Sequence, residues 1–146
     1  MSKDLLLDDV YVFLLERVSR RFKKYAKKEL SNIGVNLSSE QWVVLKRISE
    51  YPGTTQREIA TSTYKDPASI TRILDLLQKQ MLIKREGGAD RRSFGIYLTE
   101  KGAGVVEKVL PVAVEMRAKG LDGISDEEKV TLNRLLKKIH DNFDKL

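Results

Sequence analysis

Apolar residues in the first quarter of the chain recur at helical spacing. Leu7, Val10, Leu14, Val18, Phe22, Tyr25 and Ile33 step along one stripe. The pattern predicts a long first helix that ends near Gly34, a residue suited to a left-handed cap. A second helix is expected from Ser38, where Gln41 completes a capping-box spacing. It carries Trp42, Leu45 and Ile48 inward, and Pro52-Gly53 stop it. Thr55 and Glu58 repeat the capping signature ahead of a short helix through Ile59 and Ala60. Asp66 then caps a fourth helix with Pro67 in its first position, and Ile70, Ile73, Leu74 and Leu77 form its buried face.

After Met81 the period changes. Two short apolar runs, Leu82-Ile83 and Phe94 to Leu98, flank a glycine-bearing tip from Glu86 to Ser93, which predicts a β-hairpin. Thr99 caps a fifth helix that runs past an expected kink at Pro111. Gly120 and Gly123 break the chain, and Ser125 with Glu128 opens a last amphipathic helix through Leu132, Leu135, Ile139 and Phe143. The fold class expected is mainly α with a two-stranded β-wing: a winged helix-turn-helix core plus terminal helices.

Composition narrows the function. At 146 residues, 41% hydrophobic and 33% charged, the chain suits one small domain elaborated by extra helices. No apolar run approaches the roughly 20 residues that cross a bilayer, so no membrane partner is expected. Asp4, Asp8 and Asp9 interrupt the N-terminal apolar residues and no small-residue cleavage site follows, so a cytoplasmic address is expected. The absence of cysteine excludes disulfides, thiolate metal sites and a cysteine redox switch. A net charge of +6 admits nucleic acid as a partner without requiring it.

Two short helices and a hairpin suit double-stranded DNA. A helix about 10–12 Å across fits the major groove, where residues near its N-terminus reach base edges. Ala68, Ser69, Thr71, Arg72 and Asp75 lie off the apolar face of the fourth helix, and its N-terminus favours a phosphate. Ser69 and Thr71 read equally as ordinary polar residues of a solvated helix. In the hairpin, Lys84, Arg85, Arg91 and Arg92 gather cations around glycines, a finger suited to the negative potential of a narrow minor groove. Asp90 stands two residues before Arg92 and can aim it through a forked pair. A solvated turn is the other interpretation of these charges.

The stretch from Asp66 to Leu77, DPASITRILDLL, resembles the recognition helix of the MarR family of regulators. Asp90-Arg91-Arg92, followed by Leu98-Thr99-Glu100-Lys101-Gly102, is similar to that family's wing signature, Asp-x-Arg and then Leu-Thr-x-x-Gly. Gln41-Trp42, Val44-Leu45 and Pro52-Gly53 are also family-like, and the resemblance spans roughly residues 5–145. It implies a DNA-binding winged helix-turn-helix domain over residues 36–99, with residues 1–35 and 100–146 as dimerisation helices. It also implies that Ser69, Thr71 and Arg72 face the major groove and that Arg92, positioned by Asp90 and flanked by Arg91, enters the minor groove. Thr55, Gln56 and Arg57 are then expected near phosphates. Two positions depart from the family pattern. Thr63-Tyr64-Lys65 stands where an apolar-glycine-apolar turn is usual, and Met81 stands where glycine often ends the recognition helix.

The family's logic further implies a homodimeric transcription factor, a repressor, on a pseudo-palindromic operator. A small aromatic or lipophilic effector is expected to release the DNA. Tyr11, Phe22, Tyr25 and Trp42 are the aromatic candidates for its pocket, and each reads at least as well as plain core. The surplus apolar surface of the first and last helices suits a subunit interface. On the other side of the first helix, Arg17, Arg21, Lys24 and Lys28, with Arg20, Lys23 and Lys27, make a basic stripe. It suits DNA flanks or an acidic partner, or is simply a solvated face.

No enzyme is expected. The chain lacks cysteine and a GxSxG or phosphate loop, and its single histidine, His140, lies on a charged terminal helix. Gly102-Ala103-Gly104 has Glu107 where a dinucleotide loop needs glycine, and no cofactor is expected. Two alternatives stay open: a sequence-independent architectural DNA-binding protein, and a winged-helix module that binds proteins.

Overall fold

In the computed structural model, residues 6–88 and 93–146 are described. The chain divides into two units, Met1–Val112 and Ala113–Leu146. A single 3₁₀ turn, Leu7–Asp9, precedes α1, Tyr11–Asn32. The expected first helix therefore starts later than its apolar stripe. Val10 interrupts it in an extended conformation (φ −90°, ψ 119°), as suits a β-branched residue with no side-chain cap to offer.

Helix α2, Ser39–Glu50, begins with the complete capping box. The Ser38 hydroxyl accepts from the Gln41 amide, and the Gln41 side chain accepts from the Ser38 amide. Helix α3, Gln56–Thr63, has half a box: Thr55 Oγ1 accepts the Glu58 amide but donates its own proton to the Glu58 carboxylate. Helix α4, Pro67–Lys79, starts at Asp66 as read from the sequence, with Pro67 in the first turn. Leu45 and Ile48 of α2, Ile59 of α3 and Ile70, Leu74 and Leu77 of α4 are fully buried and build the core. Each such side chain contributes roughly 1.5–3 kcal/mol relative to exposure.

Strands β1, Ile83–Glu86, and β2, Gly95–Leu98, pair antiparallel with Ile83 opposite Leu98 and Glu86 opposite Gly95. Thr54 adds a one-residue bridge to Ile96. It accepts the Ile96 amide at 2.9 Å, while the Gly53 amide donates to the Ile96 carbonyl at 2.9 Å. A single bridging residue has no periodicity, which is why the sequence does not announce it.

Helices α1, α3 and α4 end by the same device. Val35 N donates to Leu30 O and Gly34 N to Ser31 O; Lys65 and Tyr64 do the same to Ala60 and Thr61, and Leu82 and Met81 to Leu77 and Gln78. This paired capping needs a left-handed residue, and the three that serve are Gly34 (φ +77°), Tyr64 (φ +55°) and Met81 (φ +63°). The geometry that glycine adopts freely is thus kept at both departures from the family pattern, at some steric cost.

Helix α5, Glu100–Gly120, starts against the end of α4. Thr99 N donates to Leu82 O at 3.0 Å, and the Thr99 hydroxyl donates to Met81 O at 2.6 Å while accepting the Gly102 amide at 3.0 Å. A Cβ on Gly102 would stand 2.0 Å from Leu82 O, so only glycine allows this approach. Helix α5 continues through Pro111 without interruption.

In the second unit, α6, Asp126–Asp144, opens with the full Ser125–Glu128 capping box. None of its residues is buried, and Leu132, Leu135 and Phe143 are exposed. Among the described residues no helix is long and apolar enough to cross a membrane.

Two substitutions test these junctions. Gly102→Ala is expected to destabilise the protein by at least about 1–3 kcal/mol, since backbone atoms must move. Met81, 68% exposed, loses little packing on replacement. Met81→Gly is expected to raise stability by about 0.5–1 kcal/mol, the relief of left-handed strain less the added unfolded-chain entropy. Urea midpoints of the two variants and the parent read both effects.

Candidate nucleic-acid interface

The first turn of α4 is held by its own cap. Asp66 Oδ1 accepts the Ser69 amide at 2.9 Å, and Oδ2 accepts the Ser69 hydroxyl at 2.6 Å. Ser69 Oγ accepts in turn from an Arg72 guanidinium nitrogen at 3.2 Å. A carboxylate, a hydroxyl and a guanidinium therefore run in series along the exposed start of the helix. The Ser69 hydroxyl first, then the Ser69 amide and the Arg72 charge, hold the Asp66 carboxyl below the usual aspartate range.

A second chain of bonds crosses from α3. The Gln56 side-chain amide donates to Thr71 Oγ1 at 2.6 Å, and the Thr71 hydroxyl donates to the Pro67 carbonyl at 3.0 Å. These bonds narrow the choice of rotamers at half-buried Gln56 and exposed Thr71, so both present polar atoms in restricted directions.

Thr55, Gln56, Arg57, Thr71, Asp75 and Arg85 line one groove of about 770 Å³ between α3, α4 and β1. Four of the residues expected to contact DNA, Thr55, Gln56, Arg57 and Thr71, thus share one concave surface. Ser69 and Arg72 belong to the neighbouring chain of bonds on Asp66. Asp90, Arg91 and Arg92 lie outside the described residues.

The pairing of Asp75 with Arg85 was not legible in the sequence. The Arg85 guanidinium reaches Asp75 Oδ1 at 3.4 Å across the turn, with its side chain only 25% exposed. Its Nε is buried without a hydrogen-bond partner. The pair ties β1 to the middle of α4, and ten residues separate its members, a spacing that no helical or strand repeat signals. Lys84, its neighbour on the strand, turns to Glu86 at 3.0 Å.

The aromatic candidates have different surroundings. Trp42 is buried in the core, Phe22 and Tyr25 are half-buried and Tyr11 is exposed, and none of them lines the groove. Among the described residues no group of histidine and acidic side chains could hold a metal.

A restrained polar face on the second helix of a helix-turn-helix, with a hairpin behind it, is the geometry of a groove-reading domain. The family model for MarR matches residues 37–94, which run from just ahead of α2 to the residue before β2. Residues 37–94 are a MarR-family domain. Solved structures extend the likeness beyond it. A probable transcriptional regulator from Pseudomonas aeruginosa is 28% identical over 92% of this chain and 99% of its own, with a TM-score of 0.82. MepR of S. aureus, solved as a DNA complex, is 24% identical over 93% and 98% of the two chains, with a TM-score of 0.81. MarR of Staphylococcus aureus, solved with salicylate and kanamycin, is 21% identical over 95% and 93%, with a TM-score of 0.80. The last two likenesses carry the fold alone.

The MarR-family fold, six helices with a two-stranded wing, is the one read from the sequence. The family matched over residues 37–94 and the Pseudomonas aeruginosa protein are transcriptional regulators and not enzymes.

The cap carries a pH signature. Because the native Asp66 pKa is depressed, its contribution to stability is full above the unfolded value, about 3.9, and is lost as pH falls through the native value. Asp66→Asn keeps an acceptor oxygen but no charge. Thermal midpoints followed into acid are expected to fall less steeply for Asp66→Asn than for the parent.

Proposed function

We propose that this protein is a cytoplasmic, homodimeric repressor that binds a pseudo-palindromic operator in double-stranded DNA. The observation that carries this proposal is the pair of bonded chains at the start of α4, Gln56–Thr71 and Asp66–Ser69–Arg72. Such bonds also serve as a helix cap, and by pre-setting the directions of exposed polar groups they favour base readout. Ser69, Thr71 and Arg72 read base edges in the major groove. Thr55, Gln56 and Arg57 meet phosphates, and Arg92, aimed by Asp90 and flanked by Arg91, enters the minor groove.

Residues 36–99 are the DNA-binding domain, and residues 1–35 and 100–146 dimerise. The exposed apolar side chains of the terminal elements support this assignment. Leu7 is 61% and Val18 65% exposed in the single chain, and Leu132, Leu135 and Phe143 stand open on α6. A second copy that covers them would place two recognition helices about one turn of DNA apart.

Release by a small aromatic or lipophilic effector completes the proposal. Such a ligand weakens DNA binding only by its difference in affinity for the two conformations. Salicylate, which S. aureus MarR binds in its solved structure, is a suitable first probe. An operator affinity unchanged by salicylate and by other phenolic and lipophilic ligands would remove effector control.

Selection of bound duplexes from a random library at near-physiological salt tests the core of the proposal. The expected product is a pseudo-palindrome with half-sites about 10 base pairs apart. Tight binding without enrichment would instead mark an architectural protein, and no binding would mark a protein-interaction module. On the selected site, Thr71→Ala is expected to relax specificity at one position, at roughly 1–3 kcal/mol per lost base contact. Arg92→Ala is expected to weaken all sequences alike and to lower the salt slope by about 1 per wing.

A further inference from the structure

Helix α1 carries charge that its own fold does not use. Between positions 17 and 28 stand seven cations and no acidic residue. Arg17 pairs with Asp8 at 3.3 Å, Arg20 with Glu16 at 3.2 Å and Lys23 with Glu40 at 2.6 Å. Arg21, Lys24, Lys27 and Lys28 are exposed and make no ion pair among the described residues. Their spacing sets like charges three and four residues apart, an arrangement that destabilises a helix in isolation. A polyanion laid along the face reverses that repulsion.

One edge of the basic stripe, at Lys23, is linked to the residue that precedes the cap of the proposed recognition helix. Glu40 holds Lys23 of α1 through Oε1 and meets Lys65 through Oε2 at 4.0 Å. Lys65 immediately precedes Asp66, the cap of α4. The Lys23 hydrogen bond first, then the Lys65 charge, hold the Glu40 carboxyl below the usual glutamate range, so this anion stays in place to join the two cations. Lys23, on the edge of the stripe, is thereby tied to Lys65 ahead of α4, while Arg21, Lys24, Lys27 and Lys28 stay open to solvent. From Arg17 to Lys28 the stripe runs roughly 16 Å, a length that meets several phosphates of a duplex carrying one charge per about 1.7 Å.

We propose that Arg21, Lys24, Lys27 and Lys28 form a second phosphate-binding surface that holds the DNA flanking the site read by α4. The inference rests on the DNA-binding function proposed above and adds contacts outside the winged-helix core. These contacts are sequence-independent. They lengthen the footprint and steepen the salt dependence without altering base preference.

The test uses the full chain and two random-sequence duplexes. One is just long enough for two half-sites, and the other extends it by about ten base pairs at each end. The parent is expected to bind the longer duplex more tightly and with a steeper salt slope. The variant Arg21→Gln/Lys24→Gln/Lys27→Gln/Lys28→Gln is expected to lose that advantage. Its affinity for the longer duplex should fall tenfold or more at low salt, and its slope by about 0.9 per lost phosphate contact.

Binding to the shorter duplex should change far less, and the thermal midpoint should hold or rise as repulsion is relieved. Lys24→Arg/Lys27→Arg/Lys28→Arg, which keeps the charge, should match the parent. Equal slopes for the glutamine variant and the parent on the longer duplex would overturn the proposal. So would equal losses on both duplexes, which mark a general field effect. If the parent binds neither duplex, the DNA-binding proposal itself falls, and this one with it.

Discussion

The carbonyl of Leu82 is the junction on which the winged-helix unit depends. It accepts the Thr99 amide at 3.0 Å, and the helix that follows comes so close that a Cβ on Gly102 would stand 2.0 Å from it. Thr99 and Lys101 add hydrogen bonds to the carbonyls of Met81 and Gln80, the residues that leave α4. The end of α4, both feet of the hairpin and the start of α5 therefore meet at one knot of backbone. The Leu-Thr-x-x-Gly motif is the sequence form of that knot. Leu98 closes the ladder opposite Ile83, Thr99 caps the helix, and Gly102 leaves room.

Above the junction, side chains restrain what the backbone has placed. Asp75 and Arg85 tie the first strand of the wing to α4, and Gln56 ties α3 to Thr71. Partly exposed ion pairs and hydrogen bonds of this kind contribute little to stability, of order 1 kcal/mol or less each. Their effect is on direction: they fix where polar atoms point on the surface proposed to meet DNA. Stability comes instead from the buried aliphatic side chains of α2, α3 and α4 beneath that surface, which contribute several times more per residue.

The sequence announces most of this architecture because local rules coincide with it. Ser38 and Gln41, Asp66 and Pro67, and Ser125 and Glu128 cap their helices as their spacing implies. The buried face of α4 is the one that its 3.6-residue period marks. Three features stayed hidden, each for a physical reason. The Thr54 bridge is one residue long, and Asp75 meets Arg85 only because the chain reverses between them. Val10 interrupts a helical stripe whose apolar period continues through it. Tyr64 and Met81 are more instructive. Their side chains disfavour positive φ, yet two backbone hydrogen bonds at each helix end impose it, so the turn is set by the cap geometry. Of the site, Thr55, Gln56, Arg57 and Thr71 were legible and share a groove, while the restraints upon them were not.

Amide hydrogen exchange of the full chain, with and without a duplex bearing its selected site, tests the central claim most directly. In the first turn of α4, Pro67 has no amide hydrogen, and the Ser69 and Ile70 amides are held only by the exposed cap residue Asp66, so these amides are expected to exchange readily in the free protein. Docking of this helix into a major groove predicts strong protection over residues 55–57 and 67–72 on binding. Protection confined to α5 and α6, with α3 and α4 unchanged, would contradict recognition through this surface.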